Sequence, residues 1–277
     1  MQIVRRALLL LLAFSLAVIS LPTVAQVVIA TIPVGIEAEH SVVNSAMNMT
    51  YVLNTCGNDP TCKSNGTVTV INGTTLFTQG VAVGYFPYAL AINSIVNKVY
   101  VVNNCGSDPT CSSNGTVTVI DGATLSTQTV AVGRRPGGVA VDPVTNKVYV
   151  TNNDGTVTVI DGVTLSTQTV TVGSQPYALS VNSVTNKIYV AKSDGMLTVI
   201  DGTTLSTQTV TVGSIPYFVA VNSVTNKAYV ANLCGNDPLC RLGSSGTVTV
   251  IDGITLSTQT VTVGFQPFVL SVNGVFT

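Results

Sequence analysis

Short runs in which apolar and polar residues alternate, each closed by a turn, follow one another along most of the chain. Residues 136–173 contain four such runs, at 138–141, 147–151, 156–160 and 167–172, separated by Asn, Asp, Gly and Pro. Alternation with period two and an abundance of Val and Thr are typical of strands, and the separating residues favour turns. No stretch of comparable length has a helical period, so the pattern predicts an all-β chain.

The strand pattern repeats along the sequence. A tyrosine in a TYV or YV motif recurs at spacings of 49, 49, 40 and 40 residues, and an Asp-Gly or Asn-Gly turn follows it in each copy; the tyrosines are Tyr51, Tyr100, Tyr149, Tyr189 and Tyr229. The base unit is therefore 40 residues long. The longer units carry an insertion between their second and third strands.

Four antiparallel strands in about 40 residues are typical of a β-propeller blade. A β-solenoid is the alternative, although its coils are usually shorter. The sequence predicts a single β-propeller domain over residues 26–277. Its five complete blades lie near residues 38–83, 87–133, 136–173, 176–213 and 216–264.

The two ends of this domain predict one incomplete sixth blade. Residues 27–35 match a last strand and residues 267–277 match a first strand, while the two strands between them are missing. An open ring, a five- or six-fold closure with an irregular seam, a ring completed by self-association with a second chain, and a truncated gene product all remain open.

The segment Tyr149-Val150-Thr151-Asn152 reads YVTN within the longer pattern PVTNKVYVTN…GTVTVIDG…TVTVG. This repeat resembles the YVTN-type β-propeller repeat family over nearly all of the chain after residue 25. The resemblance implies a propeller, often of seven blades, similar to lactonase-type propellers and to modules of prokaryotic surface-layer proteins. It does not fix a function, because one fold supports many.

Residues 1–25 predict a secretory signal peptide. Arg5 and Arg6 precede an apolar run at residues 7–21, and small residues follow near Ala25, where cleavage is expected. A membrane anchor is the alternative, but the run falls short of the roughly 20 residues that a spanning helix needs. No later stretch is long and continuously apolar, so no transmembrane segment is predicted in the mature chain. The expected location is secreted, periplasmic or at the cell surface.

Six cysteines form three pairs of equal spacing, all in the insertions between second and third strands. A secreted chain with an even cysteine count favours disulfides. Pairing within each insertion is the simplest arrangement: Cys56–Cys62, Cys105–Cys111 and Cys234–Cys240. The alternative, a thiolate metal site, would need cysteines from different blades to converge, and neither a metal nor a cofactor is predicted.

Composition excludes several classes of function. Only 8% of residues are charged, the formal net charge is −1, and 11 basic residues are spread over the whole chain, so no nucleic-acid partner is expected. The chain contains one histidine and none of the usual hydrolase, zinc-protease, P-loop or dinucleotide motifs.

The candidate site residues lie where the repeats differ. In a propeller, the disulfide insertions and the inter-blade loops share one face, near the mouth of the central channel. The first inter-blade loop contains Glu37, Glu39 and His40, which could perform acid–base work or bind a cation, and the third contains Arg134 and Arg135, which could hold a carboxylate or phosphate. A solvated polar edge is the plainer interpretation of both groups.

Aromatic residues follow the proline in several inter-blade loops. Tyr88, Tyr177 and Tyr217 are ligand-binding candidates for an apolar lip, unless they pack between blades.

Two functions follow from the sequence. The first is a non-enzymatic scaffold that binds a protein or a cell-envelope ligand through the disulfide-capped face, and the second is a lactonase-like hydrolase with its site at the channel mouth.

Overall fold

The computed structural model describes residues 28, 30–241 and 243–272, and within them every regular element is a β-strand. The chain divides into two compact units, Met1–Pro33 and Val34–Thr277, and all strands lie in the second. Twenty strands form five four-stranded antiparallel sheets, which follow one another along the sequence. This confirms the predicted all-β class and the five complete blade-like units.

Each sheet consists of four consecutive strands, paired in chain order. The strands of the first and second sheets are β1 (Ala38–Asn44), β2 (Met49–Asn54), β3 (Thr67–Asn72), β4 (Thr78–Ala82), β5 (Pro87–Asn93), β6 (Lys98–Asn103), β7 (Thr116–Asp121) and β8 (Thr127–Ala131). Those of the third are β9 (Pro136–Asp142), β10 (Lys147–Asn152), β11 (Thr156–Asp161) and β12 (Thr167–Thr171). Those of the fourth and fifth are β13 (Pro176–Asn182), β14 (Lys187–Lys192), β15 (Met196–Asp201), β16 (Thr207–Thr211), β17 (Pro216–Asn222), β18 (Lys227–Asn232), β19 (Ser245–Asp252) and β20 (Thr258–Phe265).

The hydrophobic core lies between the sheets. In the first of four such layers, Tyr51 and Leu53 of the first sheet pack with Val99, Val101 and Ile120 of the second. Equivalent layers join the second sheet to the third, the third to the fourth and the fourth to the fifth. An inner sheet therefore buries both of its faces. This explains the low charge content, because a strand that is buried on both faces has no wet face for charged side chains.

Polar groups connect the sheets on both sides of these layers. Asn103 is fully buried; its Nδ2 donates to the hydroxyls of Thr116 (3.1 Å) and Thr118 (2.9 Å), and its Oδ1 accepts from the backbone N–H of Gly84 (2.9 Å). At the opposite ends of the strands, Lys98 Nζ donates to the carbonyl of Gly162 in the next sheet, at 3.0 Å. Buried polar groups that are satisfied in this way fix the register of one sheet on the next.

The predicted strands of a sixth sheet are not formed. Residues 30–35 and 266–272, which the sequence assigned to its outer and inner strands, carry no strand. A strand needs a hydrogen-bonded neighbour, and among the described residues no strand pairs with either segment. Consequently the outer faces of the first and fifth sheets are open: Val43 on β1 is 58% exposed and Val261 on β20 is 55% exposed.

The predicted signal peptide, residues 1–25, lies outside the described residues, as do the last five residues of the predicted partial blade. In the part of the chain that is described, no helix is long and apolar enough to cross a membrane.

Candidate functional site

One backbone conformation recurs in the turn that enters each of the five sheets and in the equivalent turn before Pro267, which no described strand follows. The residue before the proline, or before Ala38 in the first sheet, has a positive φ in all six turns; these residues are Glu37, Phe86, Arg135, Gln175, Ile215 and Gln266, with φ between 34° and 54°. Such a conformation costs an L-residue on the order of 1–3 kcal/mol and persists only where the surroundings impose it. In the first two sheets a loop of the same sheet holds this turn: Thr55 N–H donates to the carbonyl of Glu37 (3.0 Å) and Asn104 N–H to that of Phe86 (2.9 Å).

A β-bulge follows each turn and aims one side chain out of the ladder. In the first sheet Ala38 pairs with Asn54 and His40 with Leu53, so Glu39 is the extra residue between two paired positions. Tyr88, Tyr177 and Tyr217 occupy the same bulge position in later sheets. Bulges of this kind re-aim side chains next to functional sites.

The disulfide loops stand beside these turns, and the surface formed by the turns and the loops is here called the loop face. All three predicted bridges are present: Cys56–Cys62, Cys105–Cys111 and Cys234–Cys240. An aspartate organises each loop. Asp59 accepts from the N–H (2.8 Å) and hydroxyl (2.7 Å) of Thr61 and from Lys63 N–H (3.0 Å). The hydrogen bonds from Thr61 lower the pKa of Asp59 to about 2, so this carboxylate has a structural role.

A cleft of about 460 Å³ opens on the loop face between the turns of the first three sheets. The candidates Glu37, Glu39, Tyr88 and Arg135 all line it. Its remaining walls come from Thr55, Phe86, Pro87, Asn104, Cys105 and Cys111. The structure thus joins two carboxylates, a guanidinium and two aromatic rings in one concavity whose volume lies in the range of small-molecule sites, roughly 300–1,000 Å³.

The charged groups of the cleft have few partners of their own. Glu37 Oε2 lies 3.0 Å from Cys56 Sγ, and this carboxylate, together with Cys62 Sγ, forms a tight group of atoms of metal-ligand type. Both sulfurs belong to a disulfide, so they lack the thiolate charge that metal binding requires. Among the described residues no ion pair involves Glu39 or Arg135.

The tyrosines after the prolines form an aromatic lip. Tyr88 is 45% exposed and Tyr177 is 49% exposed, so both face solvent rather than packing between sheets. The ring centroids of Tyr177 and Tyr217 are 6.1 Å apart, and Phe268 meets Tyr217 edge-on at 5.5 Å. Burial raises the pKa of the Tyr88 phenol, and Tyr217, Tyr177 and Glu39 raise it further, which indicates that these groups share one electrostatic environment.

Four predicted site residues do not line the cleft: Tyr177 and Tyr217, described above, and also His40 and Arg134. His40 is exposed on β1 and does not line the cleft. Arg134 is also outside the cleft, and its backbone N–H donates to Asp154 Oδ2 at 3.1 Å. Phe86 and Asn104 line the cleft but were not among the predicted site residues, although Phe86 stands directly before a proline in an inter-blade loop, in the same position as Arg135.

No protein-family model and no curated protein matches the sequence. Solved structures of similar fold include the following two. Hydrazine synthase of Kuenenia stuttgartiensis is 19% identical with a TM-score of 0.54, over 64% of this chain and 49% of that one. A functionally unknown protein from Desulfotomaculum acetoxidans DSM 771 is 12% identical with a TM-score of 0.62, over 83% of this chain and 70% of that one. The chain spans about half the length of the hydrazine synthase chain, and at these identities the likeness concerns the fold alone.

Proposed function

We propose that this protein is a secreted or envelope β-propeller of the YVTN type that acts as a non-enzymatic binding protein, with its loop face as the binding surface. The observation that carries the proposal is the cleft between Glu37, Glu39, Phe86, Tyr88 and Arg135. Its carboxylates and guanidinium are exposed and its aromatic rings are half exposed, so the groups that a ligand would contact already face outward.

Rigid surroundings support a binding role. The turns that carry Glu37, Phe86 and Arg135 have a fixed backbone, and the neighbouring loops are closed by Cys56–Cys62 and Cys105–Cys111. A preorganised surface loses little conformational entropy when it binds, so it gains affinity. The same disulfides are compatible with an extracellular or periplasmic location.

The binding role is tested with the oxidised mature chain, residues 26–277. A thermal-shift screen against cell-envelope metabolites, peptides and glycan fragments should give at least one ligand that raises the melting temperature. The shift should disappear in the double variant Glu39→Gln/Arg135→Gln and persist in Arg134→Gln, a neighbouring arginine outside the cleft. Shifts that survive the double variant would place binding away from this cleft.

A lactonase-like hydrolase is the second candidate, favoured by the presence of Glu37 and Glu39 in one cleft. His40 lies outside the cleft, which removes the imidazole from the acid–base set expected from the sequence. Metal analysis and a panel of lactones and esters, with the protein before and after Glu39→Ala, separate the two candidates. Turnover that Glu39→Ala abolishes would establish the enzyme and overturn the scaffold.

Self-association to complete a ring also remains a prediction. The open faces of the first and fifth sheets, with Val43 and Val261, are the surfaces it would use. Analytical ultracentrifugation of the mature chain and of Val261→Lys checks it, because a dimer formed through this face should dissociate in the variant.

A further inference from the structure

The cleft presents charges of both signs, and neither Glu39 nor Arg135 forms an ion pair with another residue in the described part of the chain. Glu39 stands at the bulge of β1 and Arg135 in the turn before β9, and both line the same space. The ion pair that the described residues do form, Lys192–Asp194, belongs to the fourth sheet. A ligand with a single charge would satisfy one of the two groups and face the other with like charge.

The negative and positive groups lie among different neighbours. Glu39 and Tyr88 line the same cleft, and the Glu39 carboxylate contributes to the raised pKa of the Tyr88 phenol. Aromatic faces attract cations, and a carboxylate beside them strengthens the attraction. Arg135 offers a planar fork of donors that matches a carboxylate. Glu39 with Tyr88 therefore favours an ammonium group, and Arg135 favours a carboxylate, within the one cleft that these residues line.

The wall next to these groups is apolar. Phe86 is 44% exposed and contributes its ring to the cleft together with Pro87. Burying such a ring against an apolar ligand part removes hydrophobic surface from water, which adds affinity without adding charge. The ligand that uses all of these features carries an ammonium group, a carboxylate and an apolar or aromatic side group.

We propose that this cleft binds a small zwitterion of the α-amino acid type, with Glu39 and Tyr88 at its ammonium group, Arg135 at its carboxylate and Phe86 against its side chain. The proposal rests on the binding role of the loop face and specifies the ligand class. Glu37 also lines the cleft, with one carboxylate oxygen 3.0 Å from Sγ of the Cys56–Cys62 disulfide, and the proposal assigns it no contact with the ligand.

The ligand series that tests this uses L-phenylalanine, L-phenylalaninamide, which lacks the carboxylate, and N-acetyl-L-phenylalanine, which lacks the ammonium group. Isothermal titration calorimetry with the oxidised mature chain should show binding of the free amino acid. Each derivative should bind about 10-fold to 100-fold more weakly, since a hydrogen bond to a charged group contributes about 1.5–3 kcal/mol.

Protein variants assign each half of the ligand. Arg135→Gln should remove the difference between the amino acid and its amide, and it should keep the difference between the amino acid and its N-acetyl derivative. Glu39→Gln should do the reverse. Arg134→Gln and His40→Gln are matched controls, adjacent in sequence and outside the cleft, and neither should change any affinity.

The outcomes separate the ligand class from the binding role. Equal affinity for all three probes, or crossed effects that do not follow Glu39 and Arg135, would overturn the zwitterion proposal. So would tight binding of the amide alone, which would indicate a monocation. If none of the three probes binds, but another ligand binds the unmodified protein and does not bind Glu39→Gln/Arg135→Gln, the binding role stands and the ligand class is wrong. If no ligand of any class depends on that pair, the binding role itself fails.

Discussion

Replacing Asn103 by alanine should destabilise the protein more than any neighbouring polar substitution. The side chain is fully buried at the end of β6 and makes three hydrogen bonds, to Thr116, Thr118 and the N–H of Gly84. At about 1 kcal/mol of net stabilisation for each bond, the loss is about 3 kcal/mol. Part of this cost comes from the Gly84 N–H, which loses its acceptor at a half-buried position.

Urea unfolding of the oxidised mature chain, followed by circular dichroism, measures this loss. Asn104→Ala is the matched control, since Asn104 is the next residue, half-buried, and its side chain donates one hydrogen bond, to the carbonyl of Pro136 at 3.0 Å. Its cost should be about 1 kcal/mol. Because Gly84 begins the turn that leads to Phe86, hydrogen exchange at residues 84–88 should also accelerate in Asn103→Ala. Equal costs for the two variants, or unchanged exchange in this turn, would refute the reasoning.

Three further results are expected from single substitutions. Burial raises the pKa of Tyr149. The neutral phenol therefore stabilises the fold fully below about pH 10, the ordinary pKa of tyrosine, and this contribution is lost at higher pH. In pH-dependent unfolding, Tyr149→Phe should flatten the loss of stability at alkaline pH. A Cβ at Gly122 would lie 2.7 Å from the Tyr51 hydroxyl and still closer to the side chain of Asn97. Gly122→Ala should therefore lower the melting temperature, and an unchanged melting curve would contradict this packing. Asp194→Ala removes the carboxylate that lies 3.6 Å from the amine of Lys192, a residue that is 5% exposed. Because Asp194 is partly solvated, the free energy of unfolding in urea should fall by about 1–2 kcal/mol. The double variant Lys192→Met/Asp194→Ala should recover most of this loss.

The repeats made most of the fold predictable from the sequence. Each run of Val and Thr between turn residues became a strand, and the predicted runs 147–151 and 156–160 agree with β10 and β11 to within one residue. Residues 30–35 and 266–272 match strands of the repeat but carry no strand, because a matching segment is not sufficient for one. Residues 30–35 resemble a last strand in sequence, but no third strand in the described part of the chain receives their hydrogen bonds.

The site was predictable only in part, for a local geometric reason. Glu39 and His40 are adjacent in sequence, and the prediction placed both at the channel mouth. In the structure the bulge leaves Glu39 unpaired, while His40 returns to the ladder opposite Leu53 and its side chain leaves the site. Side chains alternate between the two faces of a strand, and a β-bulge inserts one extra residue into this alternation. The bulge therefore directs the side chains of two adjacent residues to different places, although their adjacency in sequence would group them together.

The repeated left-handed turn has a consequence for how this protein can change. Six positions keep one backbone conformation while their side chains range from Glu37 and Arg135 to Phe86 and Ile215. Even a β-branched residue, which strongly disfavours positive φ, is accepted there. The chemistry of the side chains at these turns is therefore separable from folding. A mutation, or an exchange of one repeat for another, can change a single position of the loop face, and the other five turns keep their geometry.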